Sequence, residues 1–195
     1  PSGVRTAVFG RSRQMCIRGS WRAQVCRPYN WAARGRGSEA AVWKTALETE
    51  AAVASGLASA ATLLDLVKAY EMVQLELVWF AGLRLGFPVV ILRLVLESFA
   101  FIRTLKVGNA YAVGVRTVSA ILAGGGFAVD CLFLVLAEPV DELLVYFPSL
   151  SALLFVDDLT VHARGSEDDV AGLLPTAVAW LVQKLEGDLQ LKVSR

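Results

Sequence analysis

Histidine and cysteine are nearly missing from this sequence. His162 is the single histidine, which excludes a multi-histidine metal cage and leaves a histidine-based triad short of partners; one histidine in a strand reads as structural. The cysteines are Cys16, Cys26 and Cys131, an odd number without C-x-x-C spacing, which argues for a reducing compartment and against a zinc site. The N-terminus is basic but lacks the apolar core of a signal peptide, so the expected location is intracellular, nuclear or cytoplasmic, and not secreted. Acids are missing from the first 38 residues, where Arg5, Arg11, Arg13, Arg18, Arg22, Arg27, Arg34 and Arg36 all precede Glu39. Of nineteen basic residues that leaves eleven for the rest of the chain, against eighteen acids. A basic arm beside an acidic body points to a polyanion held near a metal-binding acidic centre, with a merely solvated arm as the plainer alternative.

Charge is scarce throughout at 19%, while hydrophobic residues make up 55% and mean hydropathy is +0.53, which excludes disorder. Long apolar runs are also scarce. Residues 117–137, "TVSAILAGGGFAVDCLFLVLA", have the length of a spanning helix, which needs ~20 apolar residues. Three consecutive glycines and the central Asp130 speak against a span, so no membrane is expected; a membrane protein built on this window is kept as an alternative. Asp130 itself reads as a capped or paired buried acid.

A chain of 195 residues can bury one sizeable core. It begins with Pro1 and stops at Arg195 inside what reads as an element, so a fragment of something longer is expected. "SEAAVWKTALETEAAVASG" has helical spacing between Ser38 as N-cap and Gly56 as C-cap. "SAATLLDL" reads as a buried strand ending at Asp65, and "KAYEMVQLELVWFAGLRLG" as one helix closing at Gly86. Pro88 suits the first turn of a further helix, and "RTLKVGNAYAVGV" is a hairpin about Gly108-Asn109. After the "AGGGF" loop comes a long apolar helix to about Leu144, then "ALLFV" and "LTVHA" as paired strands. Ser166 caps a last helix that Pro175 is expected to bend, and "LQLKV" reads as a final strand. Strands interleaved with helices predict an α+β fold, a ferredoxin-like antiparallel sheet with helices on one face.

Asp157 and Asp158 lie between those last two paired runs. Neighbours in a straight strand point to opposite faces, so both serve one site only at the tip of a turn. Asp-Asp is a poor turn sequence beside Asn-Gly, and a functional constraint can hide where local preference is violated. Asp65 ends a strand of its own. Were that strand to lie beside the hairpin, three carboxylates would converge, repelling one another unless divalent cations joined them. Two Mg²⁺ ions ~3.5–4 Å apart on such oxygen ligands are the arrangement for in-line phosphoryl transfer.

"LLDLVKAYEMV", followed some ninety residues later by "FVDDL", resembles motifs A and C of reverse transcriptases, the nearest kind being that of non-LTR retrotransposons, with group II introns more distant. Motif A, D-L-x-K-A-[FY]-[DE], is matched by Asp65, Leu66, Lys68, Ala69, Tyr70 and Glu71; motif C, [YF]-x-D-D, by Phe155, Val156, Asp157 and Asp158. The resemblance implies a polymerase palm with partial fingers: residues 1–58 as basic arm and partial fingers, 59–195 as palm truncated before the thumb. By the same resemblance Asp65, Asp157 and Asp158 are catalytic and hold two Mg²⁺ ions (or Mn²⁺), and Tyr70 is the gate that excludes a ribose 2′-hydroxyl. Leu66, Gly124, Arg34, Arg36 and Lys192 join Tyr70 in binding the nucleotide, with Arg195 a further basic candidate. The implied partners are an RNA or DNA template with its primer and a dNTP; oligomeric state is left open.

The match covers roughly residues 28–195 and departs from the family at two places. Motif B normally carries Gln-Gly, and here Ala123 precedes Gly124. Motif D usually shows Asn and Lys where Lys192 and Arg195 stand. A degenerate, inactive reverse-transcriptase-like domain is therefore the other alternative.

Overall fold

The computed structural model describes residues 16–33, 35–117 and 119–194. Its period-two stretches form one antiparallel sheet from β1 (Ala58–Leu64), β4 (Ser151–Phe155) and β5 (Asp158–Gly165), ordered β1-β5-β4. Alternation divides the central strand cleanly. Leu159, Val161 and Ala163 are buried on one face opposite Leu64, Thr62 and Ala60 of β1, while Thr160, His162 and Arg164 occupy the other. Helices α6 (Ala128–Tyr146) and α7 (Glu167–Gln183) close the apolar face. Across the His162 face lies α2 (Ser38–Ala54), from which Glu48 reaches the imidazole. Residues 29–31 add a parallel edge to β4: Trp31 N–H donates to the Leu154 carbonyl and Leu154 N–H to the Tyr29 carbonyl, each at 2.8 Å.

Several local expectations are corrected. The first strand is an edge of small residues, with Leu63 77% exposed, because among the described residues no further strand or helix covers its end. Gly37, not Ser38, is the N-cap of α2, and the Ser38 side chain caps nothing. The long helix expected over 68–86 is broken into α3 (Ala69–Met72) and α4 (Leu75–Arg84). Val73 and Gln74 are extended there because they pair with the returning chain: Ala120 N–H donates to the Val73 carbonyl, and Gln74 bridges Ser119. Helix α5 (Val89–Phe99) and the hairpin β2 (Lys106–Val107) and β3 (Ala110–Tyr111) stand where periodicity put them, with Gly108 at φ +59° in the turn. Ser166 does cap α7, accepting from Asp169 N–H, and that helix continues through Pro175. The last expected strand is reduced to a single bridge between Leu66 and Val193, since Gln190, at φ +56°, turns the chain immediately before it.

Residues 117–137 do not make one span. Helix α6 begins only at Ala128, and among the described residues no helix is long and apolar enough to cross a membrane. The acid that interrupts the window is 3% exposed and paired: Arg18 Nε stands 2.7 Å from one carboxylate oxygen of Asp130, and Arg22 Nε donates to the other. Both arginines belong to α1 (residues 16–24), whose Trp21 stacks edge-on against Phe87 at 4.6 Å and donates to the Leu85 carbonyl. Beyond the end of α1, Arg27 pairs with Asp141 of α6 at 2.9 Å and the Tyr29 hydroxyl lies 2.6 Å from the same carboxylate. Three of the arm's described arginines, Arg18, Arg22 and Arg27, thus dock it against α6.

Asp130→Ala leaves two arginine heads beside an apolar helix without their anion. Breaking a buried ion pair by removing one partner costs about 3–5 kcal/mol, so chemical denaturation should show a loss of that size, and a loss under 1 kcal/mol would refute the clasp. A second expectation concerns His162, whose ring nitrogen Nε2 lies 2.7 Å from Ser59 Oγ. Burial, reinforced by Arg164 and Lys44 and opposed by Glu48, holds its pKa below the ordinary 6.5. The native state then binds fewer protons than the unfolded chain, so stability falls as pH drops from 6.5 through the native value. Denaturation midpoints compared at neutral and mildly acidic pH should show that fall in the native protein and a smaller one in His162→Gln.

Candidate active site

The sheet register decides where the acids go. Leu64 pairs with Leu159, so one further step of the same ladder sets Asp65 beside Asp158. On the other side of β5, Phe155 pairs with Asp158, leaving Val156 and Asp157 as a two-residue turn. Val156 takes φ +62° in that turn, a conformation strained for a β-branched side chain and normally left to glycine. The sequence contained this signal, since a two-residue hairpin loop demands a positive φ at its first position, yet the residue there is valine. Its side chain packs against the core, which anchors the turn despite the strain.

Electrostatics couple Asp158 to each of the other two acids. The Asp158 carboxyl is held above its usual range, first by partial desolvation, then by the negative charges of Asp157 and Asp65. Tyr70 belongs to the same neighbourhood: burial raises its hydroxyl pKa, and the charge of Asp157 adds to the effect. The main chain ties these pieces together. Ser194 N–H donates to the Asp65 carbonyl and Val67 N–H to the Lys192 carbonyl, both at 2.8 Å, straddling the buried Leu66. Ile121 N–H donates to the Tyr70 carbonyl at 2.7 Å, so the chain runs from Tyr70's backbone directly into the glycine loop. Within that loop Gly124 is exposed at φ +79°, with Ala123 exposed before it. Gln74 and Gln190, which the sequence reading passed over, join the same two segments side chain to side chain at 2.6 Å.

The structure therefore gathers Asp65, Asp157, Asp158 and Tyr70 at one end of the sheet, with Leu66, Lys192 and Gly124 on adjoining segments. Arg36 is elsewhere. Its Nη1 donates to the carbonyls of Arg27, Pro28 and Asn30 at 2.8–3.1 Å, and its guanidinium lies over the Trp31 ring, so it clasps the loop that edges β4. Arg34 and Arg195 lie outside the described residues. As donors, carboxylate oxygens suit hard divalent cations. Among the described residues, however, no three His, Cys, Asp or Glu side chains stand close enough together to hold a metal ion.

No protein-family model and no curated protein matches the chain. Among solved structures, apo telomerase from Candida tropicalis, truncated from its C-terminal domain, is similar at a TM-score of 0.61 and 11% identity. The match covers 97% of this chain and 39% of the telomerase chain. At that identity the likeness speaks for the fold alone: an α+β, palm-like arrangement of an antiparallel sheet with packed helices.

The coupling among the carboxylates has a direct test. With the folded pKa of Asp158 raised, its ionisation is disfavoured in the native state, and stability present below the ordinary value of 3.8 is lost as pH rises through the native one. Asp157→Asn removes one of the repelling charges, so a carboxyl NMR titration should find the Asp158 pKa lowered and thermal stability at neutral pH increased. An unmoved Asp158 titration would separate the two groups.

Proposed function

We propose that this chain is the palm, with part of the fingers, of an RNA-directed DNA polymerase of the kind found in non-LTR retrotransposons. The observation that carries the reading is the Asp65, Asp157 and Asp158 neighbourhood, with Tyr70 beside Asp157, at the end of a sheet whose fold is shared with a telomerase. In the proposed reaction a primer 3′-hydroxyl attacks the α-phosphorus of a dNTP; the new P–O bond forms as the bond to pyrophosphate breaks. Asp65, Asp157 and Asp158 would hold two Mg²⁺ ions, or Mn²⁺. When bound, the ions lower the pKa of the attacking hydroxyl and offset charge on the leaving pyrophosphate.

The other residues take roles that follow from their placement. Tyr70 presents an aromatic edge where a ribose 2′-oxygen would sit, and so selects deoxynucleotides by sterics. The Leu66 main chain, fixed against Val193, lines the floor beside Asp65. Gly124, lacking a side chain, lets the backbone approach the nucleotide, and Lys192 offers a cation to the triphosphate. Arg36 contributes by shaping the loop before α2, and Arg34 remains a candidate phosphate contact. Template and primer, RNA or DNA, would be read by base pairing, with the protein holding backbone and shape. The residue division 1–58 and 59–195 is part of the same proposal, as is a nuclear or cytoplasmic location.

Ala123, standing where the family has Gln, favours a second reading, a domain that keeps the fold and has lost the chemistry. One experiment divides the two. In the full-length protein, Mg²⁺-dependent primer extension should be measurable and should fall at least about a thousandfold in Asp157→Asn, with the melting temperature no lower than the parent's. Extension equal to the parent's would remove Asp157 from catalysis; no extension in the parent or in Ala123→Gln would favour the inactive domain.

A further inference from the structure

The hairpin between α5 and the glycine loop is built unlike the rest of the molecule. All residues from 101 to 116 are exposed, although the ribbon is well paired: Arg103 and Val115 exchange two main-chain hydrogen bonds at 2.9 Å, and Lys106 faces Tyr111. Isolated two-stranded ribbons are marginal in water, and this one sets Ile102, Leu105, Val107, Tyr111, Val113 and Val115 outside any core, Val113 at 89% exposure. Such a surface is made to be covered.

Charge says by what. Between Glu97 and Asp130 the sequence holds Arg103, Lys106 and Arg116 and no acid at all, in a body where acids outnumber bases. Of the arm's described arginines, Arg18 and Arg22 pair with Asp130, Arg27 pairs with Asp141, and Arg36 donates through Nη1 to backbone carbonyls. The Lys106 ammonium lies over the Tyr111 ring at 5.3 Å, the pairing of cation and aromatic face that suits phosphate on one side and a sugar or base on the other. The ribbon's return strand runs into residues 119–121, which pair with the segment carrying Tyr70. Anything held on the ribbon is therefore anchored next to the candidate active site.

We propose that the ribbon of residues 101–116 is a docking arm for the template–primer duplex, its cations on the phosphate backbone and its apolar flanks on the sugars. This deepens the polymerase reading and rests on it for the identity of the duplex. Fluorescence anisotropy of the full-length protein with a labelled RNA–DNA hybrid, across a salt series, tests it. Neutralising Lys106→Gln together with Arg116→Gln should weaken binding about tenfold and reduce the slope of log affinity against log salt by about two. Tyr111→Ala should weaken binding with the slope unchanged. Every one of these side chains is outside the core, so circular dichroism and melting temperature should match the parent. Parent-like affinity in the double variant overturns the proposal. So does a parent that ignores the hybrid but self-associates in sedimentation until Val113→Asp disperses it, because the ribbon would then be covered by a second copy. Asp157→Asn keeps the two readings apart. Ribbon-dependent binding in a protein that never extends a primer sinks the polymerase and leaves the arm, whereas extension by the double variant at the parent's KM for template–primer sinks the arm alone.

Discussion

The pairing of Leu64 with Leu159 governs the rest of this structure, because it sets the register between an edge strand and the central strand of a small sheet. A slip of one residue would exchange the faces of β1, carrying Leu64 out of the core and Asp65 away from Asp158. The hydrophobic cost of exposing that face opposes any such slip, and mutual repulsion of the acids works against the register that burial imposes. Burial wins: Leu64, Leu159 and Leu154 are all fully or nearly buried, while the Asp158 pKa is raised first by partial desolvation and then by the neighbouring acids.

A second opposition is resolved at the N-terminus. Helix α6 is buried on nearly all sides and still carries Asp130 in its first turn. An unpaired carboxylate there would be prohibitive, and two arginines from α1 make it tolerable. The same contact brings Arg18 over Phe127, at the junction of glycine loop and helix, and sets Trp21 against Phe87. Among the described arm residues, Arg18, Arg22 and Arg27 thus serve the interior, while Lys106 and Arg116 stand exposed on the hairpin, where sequence composition had drawn little attention to them.

The pattern of correct and failed local expectations has one cause. Elements with strong local signals held: the Ser166 cap, the Gly108-Asn109 turn, the paired runs around Asp157, the long apolar helix. Those that failed had weak signals of their own and were decided by distant neighbours. The break at Val73 and Gln74 exists because chain from beyond the hairpin pairs there, and the stretch around Val193 is limited by a turn at Gln190. Arg36, assigned to phosphate by position in a motif, also holds three carbonyls through its Nη1, a role that only the folded loop assembles.

By itself the sequence determined the α+β order of elements and the presence of a turn at the aspartate pair, because these rest on periodicity and on residues close together in the chain. The turn residues are nevertheless Val156 and Asp157, and Asp158 already belongs to the strand. Tertiary structure alone decided that Asp65 reaches Asp158, that Asp130 is neutralised by α1, and that residues 101–116 stand wholly in solvent. Each of those depends on contacts between segments far apart in sequence, whose meeting is governed by burial of a shared core and leaves no local trace in the residues that meet.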